Sequence, residues 1–236
     1  MTAAKPQPHR ASAVWEPYPE LPPEPRDMQE TPSNGYLRET LQSILTPGYD
    51  FPYHPTILIG EQIPIYYGSP GPAGGPPPHV IPDCLIALDV DTAAIWDRVG
   101  YDPIQNSKPP DVVIEVGSHS TYRSDNVRKR EIYRQIGVPE YWRFDPSGGD
   151  FYGQPILGEE LVNGQYRQFP LNQYDDESVG ATSLILNLNF RWREEQFRIH
   201  NPLTGGEYEH PRGQNARQQV EIARLQAEVR RLRGEG

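Results

Sequence analysis

The chain has 236 residues, a net charge of −10, 36% hydrophobic residues and 27 prolines. That length holds one sizeable domain with flanking segments, and the low apolar share confines the core to part of it. The acidic total excludes a protein coated in basic surface and leaves room for a local basic patch. A lone cysteine, Cys84, excludes an intrachain disulfide and fits a reducing, cytoplasmic setting. No apolar run nears the ~18 residues of a membrane span, so no membrane contact is expected. The first residues, MTAAKPQPHR, lack the apolar stretch of a signal peptide.

Residues 1–29 carry Pro6, Pro8, Pro17, Pro19, Pro22, Pro23 and Pro25. Proline density of this kind forbids a helix and disfavours sheet pairing, so the segment reads as an extended or disordered arm. A helix is predicted from Thr31 or Ser33 to Leu45, with Tyr36, Leu37, Leu41 and Ile44 on one stripe and Pro47-Gly48 as its stop. Glu30 stands just before it, suited to the helix N-terminus and also a secondary candidate for a site. Two short strands follow in PTILIG and IPIYYG. HVIPDCLIALDVD then reads as one strand from Val80 to Val90. Alternation puts Asp83, Leu85, Ala87 and Asp89 on one face, and Cys84, Ile86, Leu88 and Val90 on the other. Cys84 reads as a buried structural thiol.

The run from Pro110 to Pro146 holds most of the candidate chemistry. Asp111 to Val116 is β-branched and predicts a strand. Asp111, Val113 and Glu115 share one face, with the two carboxylates about 13 Å apart at about 3.3 Å per residue. Acids on a buried element need a partner or a metal. A helix follows, with Ser124 as N-cap, Asp125 in its first turn and Gly137 as its left-handed terminator. Ile132, Tyr133 and Ile136 form its apolar stripe, and Lys129 falls on that same stripe. Two readings stand for Lys129: an ammonium snorkelling at the stripe's edge, or an inward cation paired with Glu115. Lys5, Lys108 and Lys129 are the only lysines among 22 Lys and Arg, which favours a need for a compact ammonium here. His119, in the intervening loop, reads as solvated.

Beyond Pro146, Asn163-Gly164 between alternating runs predicts a surface hairpin. SLILNLNFRW is a strand or a short helix, and EQFRIH a closing strand. The domain is thus expected over residues 30–210, with a tail over 211–236. In that tail Ile222, Leu225, Val229 and Leu232 take a/d spacing over two heptads. A homodimer contact and a solvated helix both remain open.

VIPDCLIALDVD, PPDVVIEVGSHSTYRSDNVRKREIY and GVPEYWRFDP together resemble the Uma-two family, within the PD-(D/E)XK nuclease superfamily. The resemblance implies an α/β fold, a restriction-endonuclease-like mixed sheet flanked by helices, with extra β-hairpins and a C-terminal helix. It implies Asp83 and Glu115 as catalytic and metal-binding acids on adjacent antiparallel strands. The usual Glu-x-Lys is broken at Gly117, and the lysine is implied at Lys129 on the next helix. Glu30 and Asp111 are secondary candidates. Mg2+ or Mn2+ suits two carboxylates, and DNA is the implied partner. From Ser118 to Arg143 six Lys and Arg stand against three Asp and Glu, a patch able to meet phosphates. Two rival readings are a catalytically silent interaction module and a purely structural ion-pair network.

Overall fold

The computed structural model describes residues 32–45, 54–68, 77–98 and 100–208. The arm over 1–29, Glu30 and the helical tail expected from 211 lie outside the described residues. The fold is mixed α/β, with a large mixed sheet, few helices and additional small sheets.

The chain runs α1 (Pro32–Leu45), β1 (Ile57–Glu61), β2 (Ile65–Tyr66), β3 (His79–Val80), β4 (Cys84–Leu88) and α2 (Thr92–Arg98). Next come β5 (Val112–Val116), α3 (Tyr122–Ser124), a π-helical turn (Asp125–Lys129), α4 (Arg130–Ile136) and β6 (Glu140–Phe144). It closes with β7 (Ile156–Val162), β8 (Gln165–Gln168), β9 (Asn172–Gln173), β10 (Val179–Ser183), β11 (Leu188–Arg193) and β12 (Gln196–His200). Six strands form the main sheet in the order β1-β4-β5-β6-β7-β8. Only β5 and β6 pair in parallel within it. A parallel pair needs a long crossover, and α3 to α4 supplies it. A second sheet has the order β12-β11-β10-β9, and β2 pairs with β3 separately.

Both faces of the main sheet are covered, which is why β4, β5 and β6 are buried at every position. On one face Cys84, Ile86, Leu88, Val112, Ile114 and Trp142 pack against α1 and the second sheet. On the other, Leu85, Ala87, Val113 and Tyr141 pack with Ile132 and Tyr133 of α4. Glu140 joins the two sheets. Its carboxylate accepts from Trp142 Nε1 at 2.9 Å, Ser183 Oγ at 2.6 Å, and the amides of Leu184 and Ile185 at 2.8 and 2.9 Å.

Several sequence expectations change. The strand expected from Val80 to Val90 is two elements, because Pro82 offers no N–H to a ladder and Val80 pairs with Ile65 instead. The helix of the crossover begins at Tyr122, not after Ser124. Ser118 sets that start, its Oγ accepting from Thr121 N at 3.2 Å and its carbonyl from Tyr122 N at 3.1 Å. The connection carrying Ile95 and Trp96 contains α2, whose first turn is held by Asp91 Oδ1 accepting from Ala94 N at 3.0 Å. In SLILNLNFRW the strand alternative holds for β11, after a turn over 184–187. The Asn163-Gly164 hairpin joins β7 to β8, and both turn residues have positive φ, 51° and 76°. Gly137 ends α4 at φ 89°.

Candidate active site

β4 and β5 are antiparallel neighbours, with Cys84 opposite Ile114. That register sets Asp83, at the entry to β4, beside Glu115 near the end of β5. Alternation turns both toward the crossover helix. The two residues are tied directly: Asp83 N donates to Glu115 Oε2 at 3.3 Å, and Val116 N donates to Asp83 Oδ2 at 2.7 Å.

Glu115 is 1% exposed and Lys129 4% exposed. Lys129 Nζ lies 3.1 Å from Glu115 Oε2, 3.2 Å from the Ile81 carbonyl and 3.3 Å from Asp125 Oδ1. The lysine is therefore inward and paired, not snorkelling. Tyr133 donates its hydroxyl to Glu115 Oε1 at 2.6 Å. Burial pushes the Glu115 carboxyl well above the ordinary range; Lys129 pulls it down, and Asp125 and Asp83 push it further up.

Asp125 is the member of this cluster that the sequence reading left in a structural role. It is fully buried, and its own carboxyl is raised by burial against the pull of Lys129. Tyr152 donates to Asp125 Oδ2 at 2.7 Å, and Tyr141 donates to the Asp125 carbonyl at 2.9 Å. Oδ1 faces the Lys129 ammonium 3.3 Å away. Asp125 sits in the π turn, a form that often marks functional positions in helices. The i,i+4 relation to Lys129 was the sequence signal that could have found it.

Asp111 is placed elsewhere. It precedes β5 at the end opposite Glu115, where it accepts from Leu88 N at 2.8 Å and pairs with Lys108 at 2.7 Å. Those contacts pin the β4–β5 junction. Glu30 lies outside the described residues. His119 is exposed, edge-on to Phe151. Beside the cluster runs a second buried set of charges. Glu159 accepts from both Arg130 and Arg143, and Arg143 also donates to Asn126 Oδ1 at 2.6 Å.

Residues 57–229 match the Uma-two family model, described as "Putative restriction endonuclease". The chain belongs to this family. A crystal structure of a "putative nuclease" from Anabaena variabilis is similar, with a TM-score of 0.38 and 11% identity over 60% of this chain and 69% of that one. No curated protein matches. Membership of the Uma-two family supports a nuclease function and explains why its signature runs cover β4, β5, the crossover helix and β6. Among the described residues, no helix of this Uma-two chain is long and apolar enough to cross a membrane.

Proposed function

We propose that the protein is a divalent-metal-dependent endonuclease that hydrolyses DNA phosphodiester bonds. The observation that carries this reading is the meeting of Asp83, Glu115 and Lys129 where two neighbouring strands pass under one helix. Nothing in sheet packing requires two acids and a lysine there, and burying them is costly.

The donor set fits Mg2+ or Mn2+. Its atoms are carboxylate oxygens, hard ligands suited to hard cations. Among the described residues no group of three or more His, Cys, Asp or Glu forms a ready metal cage. Mg2+ binds through one or two carboxylates and keeps several waters. Asp83 and Glu115 would hold the ion, which supplies Lewis-acid polarisation of a phosphate oxygen and a lowered pKa for bound water. Tyr133 fixes the Glu115 carboxylate. Lys129 orients the attacking water or stabilises charge developing on the phosphate. Asp125, held by Tyr152, is a positioning residue for that ammonium. Within the basic run between Ser118 and Arg143, Lys129 and Arg143 are buried, and exposed Arg123 with half-buried Arg128 meets the DNA backbone.

One observation favours the structural ion-pair reading: the ammonium already has three oxygen neighbours. Calorimetric titration with Mg2+ and Mn2+, beside cleavage of plasmid and linear DNA, separates the two. The enzyme reading expects divalent binding and cleavage, with both lost in Asp83→Ala. Wild-type protein that binds no divalent ion leaves the ion-pair or silent-module reading in its place.

A further inference from the structure

A cluster of rings flanks the acids and takes no part in holding them. His119 is exposed, while Tyr122 and Phe151 are half-buried. The His119 and Phe151 rings meet edge-on at 5.1 Å, and Tyr122 and Phe151 lie 5.5 Å apart at 33°. The Arg123 guanidinium stands 5.5 Å over the Tyr122 ring, and its Nε donates to the Tyr122 hydroxyl at 3.0 Å.

The cluster is adjacent to the site and rigidly tied to it. Phe151 and Tyr152 lie together over Gly117, where an added Cβ would sit 2.9 Å from the Tyr152 ring and 3.1 Å from the Phe151 ring. Gly117 is two strand steps past Glu115, about 7 Å along the backbone. The loop carrying Phe151 is fixed by Asp145, fully buried, whose Oδ2 accepts from Phe151 N at 2.8 Å and Tyr152 N at 2.9 Å. The next side chain, Tyr152, reaches Asp125. On the other side, Tyr122 begins the helix that carries Asp125 and Lys129. Local charge is also favourable. Exposed Arg123 and half-buried Arg128 stand beside the rings with Asp150 on the loop, whereas Lys129 and Arg130 are paired with Glu115, Asp125 and Glu159.

We propose that Tyr122, Phe151 and His119 form a stacking platform for unpaired bases of single-stranded DNA entering the site. Aromatic faces beside arginines are how proteins hold single strands, since every base offers a π-face. In a duplex those faces are already stacked on each other, so a preorganised platform selects single strands or unpaired ends. The inference takes its orientation from the endonuclease reading and names the form of DNA that reading leaves open. The plain alternative is that Phe151 merely covers Gly117, a task that any apolar side chain of similar bulk performs.

The test measures binding alone. Anisotropy of a fluorescein-labelled single-stranded deoxyoligonucleotide is read in EDTA, beside the same sequence as a duplex. The wild type should bind the single strand more tightly. Phe151→Leu keeps apolar bulk but removes the π-face, and should weaken single-strand binding between about five- and a hundredfold with an unchanged melting curve. Phe151→Trp should retain binding. Equal single-strand binding by wild type and Phe151→Leu overturns the platform, as does a wild type that binds duplex at least as tightly. Cleavage with Mg2+ but no effect of Phe151→Leu would keep the endonuclease and remove the platform. Loss of binding in Phe151→Leu without any cleavage would do the reverse.

Discussion

Lys129 is where residue chemistry is most concentrated, and its burial decides how it should be probed. Truncation to alanine would leave Glu115 and Asp125 facing a void without their counter-charge, a change that often costs about 3–5 kcal/mol. Lys129→Met fills the same volume, and the two carboxyls, both already raised by burial, can hold protons in place of the ammonium until a bound Mg2+ displaces the one on Glu115. Lys129→Met should therefore stay folded by circular dichroism and still bind Mg2+ through Asp83 and Glu115. Its DNA cleavage should fall by on the order of a hundredfold or more, the usual loss of one transition-state donor. Lys129→Arg should not restore it, since a planar fork cannot replace a compact ammonium among three close oxygens. A Met variant that cleaves like wild type removes the lysine from the mechanism. The pairing of Lys129 with Glu115 was legible in the sequence, because a helical stripe and a strand face are local periodicities. The difference between Glu115 and Glu140 was not. Both are buried acids on central strands, and only tertiary contacts show that four neutral donors saturate Glu140.

At the level of elements, β5 and its crossover were readable because each carries its own signals: β-branching in the strand, an apolar stripe and a terminal glycine in the helix. The second sheet was not, since SLILNLNFRW suits a strand or a helix equally and its pairing with β10 before it and β12 after it decides the outcome. The joint between β6 and β7 rests on one close approach. Trp142 is fully buried, stacked on Phe169 at 5.2 Å and edge-on to Phe190 at 4.8 Å. Gly158 pairs with it across the strands, and an added Cβ would sit 2.3 Å from the indole. Gly158→Ala should thus lower stability by about 1–3 kcal/mol, the usual cost of overpacking a core, read as a shifted denaturation midpoint. An unchanged midpoint would mean that the indole has room to move.

Across the whole molecule, the described core is closed by α1 at one end of the sequence and β12 at the other. Leu41, Ile44 and Leu45 of α1 share a core with Ile199. The arm over 1–29 and the tail from 211 are poor in the apolar residues that could build a core of their own. A fragment of residues 30–210 should therefore fold and melt cooperatively, as followed by circular dichroism. A fragment that stays unfolded would show that the flanks are structural. If the tail pairs in solution, its removal should change the molecular mass by light scattering and leave the melt intact.

The π turn gives the domain an inserted residue in the middle of its crossover. Val127, 71% exposed, sits within that turn and makes no core contact. A chain lacking Val127 could close the gap as an ordinary α-helix, at little cost in packed surface. A π turn absorbs one extra residue locally, so the helical turns before and after the deletion would keep the faces they now present. Asp125 would then stand three residues before Lys129 instead of four, on the same face but shifted by one position, with Ile132 and Tyr133 still seated on the sheet. Deleting one codon should separate folding from chemistry: a protein that melts near the wild-type temperature, with Lys129 still against Glu115 but with Asp125 displaced from its present place beside the ammonium. Measured side by side, melting and cleavage of that variant would tell whether the irregular turn persists for the sake of the site.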